Sequence, residues 1–340
     1  MIIGKKPVRI LLVDDGMENI QVAGTILKEQ GYQLNIARNG KQALQVVEKT
    51  KPDLILLDVI MPEMDGYECC DQLKRDPETK DIPVIFLTGN TEPDAVVRGF
   101  ELGAVDYIGK PFNSFELLVR IDTHLSLRHA HLELEDLTQK AARYISPHVF
   151  DAIFKGEIGS DLDTKERELT VFFSDIAGFT KLTESMGDKD LTQWLNGYCE
   201  TMAGLVHKHG GTLDKFIGDA VMVFFGDPQT KGVKEDAIAC TRMAIEMLQA
   251  VTELDVAIRI GINSGNALVG NFGSMQQMNY TIIGNVVNLA ARLEGMCSAG
   301  SILVSQPTYE LIKDDFWCEE NGPVHAKGIE GDVMTYWVHG

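Results

Sequence analysis

The amino-acid sequence predicts two units of different α/β construction joined by a helix, on three observations. Residues 8–127 alternate five short aliphatic runs with five amphipathic stretches, the pattern of a doubly wound, five-stranded parallel sheet. Residues 118–150 keep one helical pattern without a glycine. Residues 168–340 mix strands and helices without strict alternation, which predicts an α+β sheet with helices on one face.

In the first unit VRILLV, QLNIA, DLILLD, PVIFLT and VDYIGK read as strands. The segments 17–30, 40–49, 64–75, 91–102 and 113–127 carry helical spacing between them. Sheets of this kind place their chemistry at the carboxyl ends of the strands. Asp14, Asp15, Asp58, Thr88 and Lys110 fall there.

Along the connecting helix Leu127, Ala130, Leu134, Leu137, Ala141 and Tyr144 share one heptad seam. Leu118, Ile121 and Leu125 follow an offset seam, so the phase slips near residue 126. A helix lying along its own domain fits this pattern, as does a parallel dimeric coiled coil. The coiled coil is favoured because only about three heptads join two domains that each look complete. Ser146-Pro147 interrupts the pattern, and 156–166 (GEIGSDLDTKE) reads as a polar linker. The expected boundaries are 1–127, a helical linker over 128–164, and 165–340.

The second unit opens with the strand ELTVFFSD, followed by helices near 178–185 and 188–207. A hairpin over GTLDKFIGDAVMVFFG comes next, then a helix at 233–251. AIRIGINSG, NYTII, SILVSQ and the tail strands are divided by a helix at 285–296. No internal repeat is evident.

Composition bounds the function. A hydrophobic share of 44% with 24% charged residues is that of a globular chain. A formal net charge of −19 argues against a broad nucleic-acid surface, which needs a basic stripe, but not against the binding of a single nucleotide. The cysteines Cys69, Cys70, Cys199, Cys240, Cys297 and Cys318 form no CxxC pair and read as reduced thiols of a cytoplasmic protein. The start reads as a first strand rather than a signal peptide, and no apolar stretch approaches the roughly 20 residues of a membrane helix.

Three carboxylates on neighbouring strand ends suit a hard, oxygen-loving cation such as Mg2+. Asp14 and Asp15 would hold it, and Asp58 would touch it and act as a phosphoryl-accepting nucleophile. The metal and Lys110 would neutralise the transferring group, Thr88 would hydrogen-bond the new phosphate, and Tyr107 would change rotamer. Singly, such acids cap helices. Jointly, VDD, LLDVIMPEMDGYE, LTG and DYIGKPF closely resemble the response-regulator receiver family over about 120 residues. The resemblance implies phosphorylation of Asp58 by a histidine kinase, and a cis peptide before Pro111. Asn90 departs from the small residue usual two positions after the threonine.

In VFFSDIAGFTKL, Asp175 ends a strand beside a glycine and a helix start, where the amides of Ile176 to Phe179 would face phosphate oxygens. Asp219 lies at the turn of a hairpin, in FIGDAVM. Two such carboxylates suit two metal ions roughly 4 Å apart, one activating a ribose 3′-hydroxyl and one holding a triphosphate. Asn288 and Arg292 in NVVNLAARLE share a helix face. There Asn can orient a ribose oxygen while Arg stabilises charge on the α-phosphate.

FSDIAGFT, DKFIGDAVM, YTIIGNVVNLAARLE and AKGIEG together resemble the class III nucleotidyl cyclase catalytic domain, across the whole second half. The resemblance implies a ferredoxin-like core, a head-to-tail homodimer and two Mg2+ or Mn2+ ions per site. Metal ligation falls to Asp175, Ile176 and Asp219, with Gly178, Phe179 and Thr180 on the substrate. Lys215, Thr281, Asn288 and Arg292 come from the other protomer, and Lys327 reaches the terminal phosphates. Lys215 is donor-only, so it satisfies adenine N1 and opposes the guanine N1–H. Thr281 can accept from the adenine amine, and the Glu and Cys of guanine-specific relatives are absent at both positions. ATP is the favoured substrate and an adenylate cyclase, a lyase releasing pyrophosphate, the favoured activity. A guanylate cyclase and a silent signalling module are the alternatives, and a diguanylate cyclase is disfavoured by the lack of a GGDEF-type segment. His207 and His209 read as helix-end caps rather than metal ligands.

Overall fold

The computed structural model describes all residues except 1, 4–5, 90–92, 112, 160, 275 and 326–330, and except the side chains of 2–3, 6, 93–95 and 185. The chain divides into two compact units, Met1–Gln139 and Lys140–Gly340.

After short strands β1 (Ile2–Ile3) and β2 (Lys6–Pro7), the first unit runs β3 (Arg9–Val13), α1 (Met17–Glu29), β4 (Gln33–Ala37), α2 (Gly40–Thr50), β5 (Leu54–Asp58) and α3 (Gly66–Arg75). It continues through β6 (Val84–Thr88), α4 (Pro93–Glu101), β7 (Asp106–Gly109) and α5 (Ser114–Ala142). The sheet order is β4-β3-β5-β6-β7, and every neighbouring pair is parallel. β5 and β6 are buried at every position, as a sheet covered on both faces requires. Alternate residues feed two cores. Ile10, Leu12 and Leu56 pack with Leu27 of α1 and Ile121 of α5, while Leu11, Val13 and Leu57 pack with Val47 of α2 and Cys69 of α3.

Local chemistry sets the helix starts. Asn39 accepts from Gln42 N at 2.9 Å, and Asp65 from Glu68 N at 2.8 Å. The second cap moves the start of α3 from the expected 64 to Gly66. A Cβ on Gly66 would lie 2.2 Å from the carbonyl oxygen of Asp58, so α3 begins against that backbone only because residue 66 has no side chain.

The phase slip in α5 has a packing cause. Leu117, Ile121 and Leu125 are buried in the first unit's core. Beyond them Leu127, Leu134 and Leu137 are 63%, 63% and 62% exposed, so these positions of the second seam lie largely open.

A second helix, α6 (Pro147–Phe154), follows Ser146 and begins with the proline. Then come β8 (Thr164–Ile176), α7 (Phe179–Ser185), α8 (Asp188–His209), β9 (Thr212–Ile217), β10 (Ala220–Phe225), α9 (Val233–Thr252) and β11 (Ile258–Ser274). The unit ends with β12 (Gln277–Ile283), α10 (Asn285–Met296), β13 (Ser301–Ser305), α11 (Gln306–Ile312), β14 (Trp317–His325) and β15 (Asp332–His339). The sheet order is β14-β15-β13-β11-β8-β10-β9, with β12 paired to β11. The stretch β11-β8-β10-β9, antiparallel throughout and crossed by α8 and α9, is a ferredoxin-like core.

Three features differ from the sequence reading. Thr164–Glu166 belong to β8 rather than to a linker, pairing with Leu268–Gly270. Their side chains are all exposed, so no apolar alternation betrays the strand. Helices cover both faces of the sheet, not one: Ile260 and Val223 pack with Met202 and Met243 of α8 and α9, whereas Val171 and Phe224 pack with Val286 and Ala290 of α10. Periodicity tells that a helix buries a stripe but not which face receives it. The short helix α11 was also not foreseen.

His148 of α6 stacks on His207 of α8, ring centroids 5.3 Å apart. Its buried Nε2 has no hydrogen-bond partner among the described residues. Burial, and then the neighbouring His207, hold its pKa below the ordinary 6.5. The unfolded chain therefore binds the extra proton first, and this part of the stability is present above pH 6.5 and lost as pH falls below it. Melting at pH 7.5 and 5.5 is expected to show the second unit losing stability on acidification, with a smaller loss in His148→Gln. An equal loss in that variant would dismiss the histidine as the cause.

Candidate functional site

The carboxyl ends of β3, β5, β6 and β7 bring the first set of residues together. Asp14 is fully buried, Asp58 is 6% exposed, Asp15 is exposed, and carboxylate oxygens of all three lie within 4.8 Å of one another. Lys110 Nζ is 2.7 Å from Asp14 Oδ2 and 2.8 Å from Asp58 Oδ2. Gly16 N (2.8 Å) and Asn19 Nδ2 (3.0 Å) donate to Asp14 Oδ1 and fix its plane. Burial pushes the Asp58 carboxyl above its usual range, Lys110 opposes this, and the charge of Asp14 adds to it. Three clustered carboxylates against one lysine leave negative charge unbalanced, and an all-oxygen donor set fits Mg2+.

Thr88 and Tyr107 line one small cavity with Phe86 and Phe100. The Tyr107 ring packs edge-on to Phe100 and has the Arg120 guanidinium 5.8 Å from its centre. The Lys110–Pro111 peptide is cis, as the resemblance implied. Asn90 lies outside the described residues.

In the second unit, β8 carries Asp175 and the β9–β10 turn carries Asp219, next to Gly218 in a left-handed conformation. Ile176 N donates to Asp219 Oδ2 at 3.1 Å, tying the turn to β8. Asp219 is pushed up to about 6, by burial first and then by hydrogen bonding to and repulsion from Asp175. The nearby Asp175 carboxylate makes it costlier to ionise Asp219, a repulsion that divalent cations relieve. The phosphate cradle is narrower than expected: the amides of Ile176 and Ala177 are taken by Asp219 and by Ala257 O. Gly178, Phe179 and Thr180 remain at the opening of α7, whose N-cap Gly178 supplies no side chain.

Two residues that sequence reasoning missed complete this cluster. Arg259 is the cross-strand partner of Asp175, with Nη2 2.6 Å from Asp175 Oδ2 and Nε 3.3 Å from Glu294 Oε1. Glu294 is pushed above its usual range by burial, with Arg259 opposing and Asp175 and Asp219 adding. A basic residue inside AIRIGINSG gave no signal, because its partner is set by strand register.

Lys215 of β9 and Thr281 of β12 line one cavity, together with Asp214, Tyr280 and segment 144–146. Asp175 and Asp219 are not among its lining residues. On α10 Asn288 is exposed and Arg292 half-buried, on one face. Lys327 lies outside the described residues. His209 pairs with Glu246 at 2.5 Å, and His207 stacks on His148.

A parallel sheet bearing a buried aspartate paired with a lysine is followed by a ferredoxin-like sheet bearing paired carboxylates, a two-part architecture. Residues 163–340 match the family of the adenylate and guanylate cyclase catalytic domain, and residues 10–122 match the response regulator receiver domain. The chain belongs to the adenylate and guanylate cyclase catalytic domain family, with a receiver domain in its first half. An adenylate cyclase of Mycobacterium tuberculosis is 33% identical over 182 residues, 52% of this chain and 40% of the relative. A probable cyclic di-GMP phosphodiesterase of Vibrio cholerae is 49% identical over 116 residues, 34% of this chain and 26% of the relative. The chain thus spans less than half the length of these curated relatives. Among solved structures, the adenylyl cyclase CyaB from P. aeruginosa superposes with a TM-score of 0.52 at 47% identity, over 53% of this chain and 97% of that one. Among the described residues no helix is long and apolar enough to cross a membrane.

Proposed function

We propose that the protein is an adenylate cyclase that converts ATP to 3′,5′-cyclic AMP and pyrophosphate at a homodimer interface, under control of phosphorylation at Asp58. The observation that carries the reading is the shared cavity of Lys215 and Thr281, which excludes Asp175 and Asp219. A site needing both sets is completed by a second copy, and two-fold symmetry then gives two equivalent sites.

In this reading Asp175, Asp219 and the Ile176 carbonyl hold two divalent cations, Mg2+ or Mn2+. Bound there, the cations supply acidification of the ribose 3′-hydroxyl and neutralisation of the triphosphate. The 3′-oxygen forms a bond to the α-phosphorus as the bond to pyrophosphate breaks. The amides of Gly178 to Thr180 and the side chains of Arg259 and Lys327 receive the phosphates. Asn288 orients the ribose and Arg292 of the other protomer meets the charge built on the α-phosphate. Lys215 donates to adenine N1 while Thr281 accepts from the amine.

Asp58 takes a phosphoryl group from a histidine kinase or a small phosphodonor, with Mg2+ held beside Asp14 and Asp15. Thr88, Tyr107 and Lys110 register the change. The exposed seam of α5 pairs with that of a second copy as a coiled coil, so a register change there displaces the halves of each composite site. A kinase donor and ATP as substrate favour the cytoplasm as its location. The reading needs neither nucleic acid nor membrane.

Turnover of the purified chain with ATP and GTP, with and without a small phosphodonor, tests both halves. ATP is expected to be favoured at least about tenfold in kcat/KM. The phosphodonor is expected to raise the rate, and Asp58→Asn to lose that response. Preference for GTP would make the chain a guanylate cyclase, and an unchanged rate in the wild type would remove the control.

A further inference from the structure

The strand β9 is irregular where it carries Lys215. Met222 of β10 opposes Lys215 and Val223 opposes Leu213, so Asp214 has no cross-strand partner and forms a β-bulge. In a regular strand residues 213 and 216 face opposite sides. Here Leu213 and Phe216 both pack against the same helix-covered core. The extra residue breaks the alternation between Leu213 and Phe216, and Asp214 and Lys215 line the cavity with Thr281, a cavity that Leu213 also lines. The Asp214 carboxylate is fully buried, with neither oxygen in a hydrogen bond among the described residues, while the Lys215 ammonium stands 3.2 Å from Asp214 Oδ2 on a side chain 46% exposed.

We infer that Asp214 is a positioning residue for purine recognition: the bulge sets its carboxylate beneath Lys215 and aims the ammonium into the cavity it shares with Thr281. A lysine side chain has four rotatable bonds, and a free one spreads its charge over many positions. A fixed ion partner confines the donor to one place. A buried carboxylate also needs that partner, because a buried charge without compensation is costly. The two residues therefore hold each other, and selection between an N1 acceptor and an N1–H donor depends on both.

This inference rests on the ATP-selecting reading, which the wild type tests separately. If the wild type does not prefer ATP, that reading fails before any variant is made. If it does, Asp214→Asn is expected to raise the KM for ATP about tenfold with a smaller change in kcat, and to lower the ATP:GTP ratio of kcat/KM about tenfold. An unaltered ratio, or equal losses for both nucleotides, would overturn the positioning role. Melting gives a readout independent of activity. Lys215→Met alone is expected to melt lower, and the pair Asp214→Asn with Lys215→Met to recover most of the loss. Strictly additive shifts would show that the two side chains do not act as a unit.

Discussion

Asp219→Asn is expected to lower turnover at least about a thousandfold, with the chain still folded, because it removes one of the two charges proposed to hold the catalytic cations. The substitution keeps the shape of the side chain, and the amide oxygen can still accept from Ile176 N, which ties the hairpin turn to β8. Asp175→Ala is expected to be as inactive, but for a less simple reason. It also releases Arg259, whose Nη2 lies 2.6 Å from Asp175 Oδ2. Comparing the two separates loss of a cation ligand from misplacement of the arginine. Steady-state turnover with matched circular dichroism and size-exclusion profiles is the measurement, and near-normal turnover in Asp219→Asn would refute the two-carboxylate mechanism.

Mixing inactive Asp175→Ala with inactive Arg292→Ala is expected to restore about a quarter of wild-type activity per total protein. Random exchange makes half the dimers mixed, and each mixed dimer has one intact site and one site with both defects. The estimate follows from random pairing and from the proposed site, in which Asp175 of one protomer meets Arg292 of the other. If the mixture stays silent after subunit exchange is verified, each site is built from one protomer alone.

The acidic cluster of the first unit was legible because its members sit at strand ends, and strand ends are visible as breaks in aliphatic runs. Asp14, Asp58 and Lys110 needed only the parallel sheet to meet. The heptad slip near residue 126 was legible as well, and its cause became plain once Leu125 was found buried and Leu127 exposed. Thr164–Glu166 failed as a linker because backbone pairing, not side-chain burial, makes them a strand. Arg259 and Glu294 stayed hidden for a related reason. They meet Asp175 through cross-strand register and helix packing on a sheet face, and neither is written in local periodicity.

The sequence alone thus determined the two architectures and the acidic strand ends, since these follow from local pattern and side-chain chemistry. Only the tertiary structure decided which of those residues meet. It removed Ile176 and Ala177 from the expected phosphate cradle, because both spend their amides on the fold. It also turned Asp214 beneath Lys215, because a single unpaired residue in β9 reverses the face that follows it.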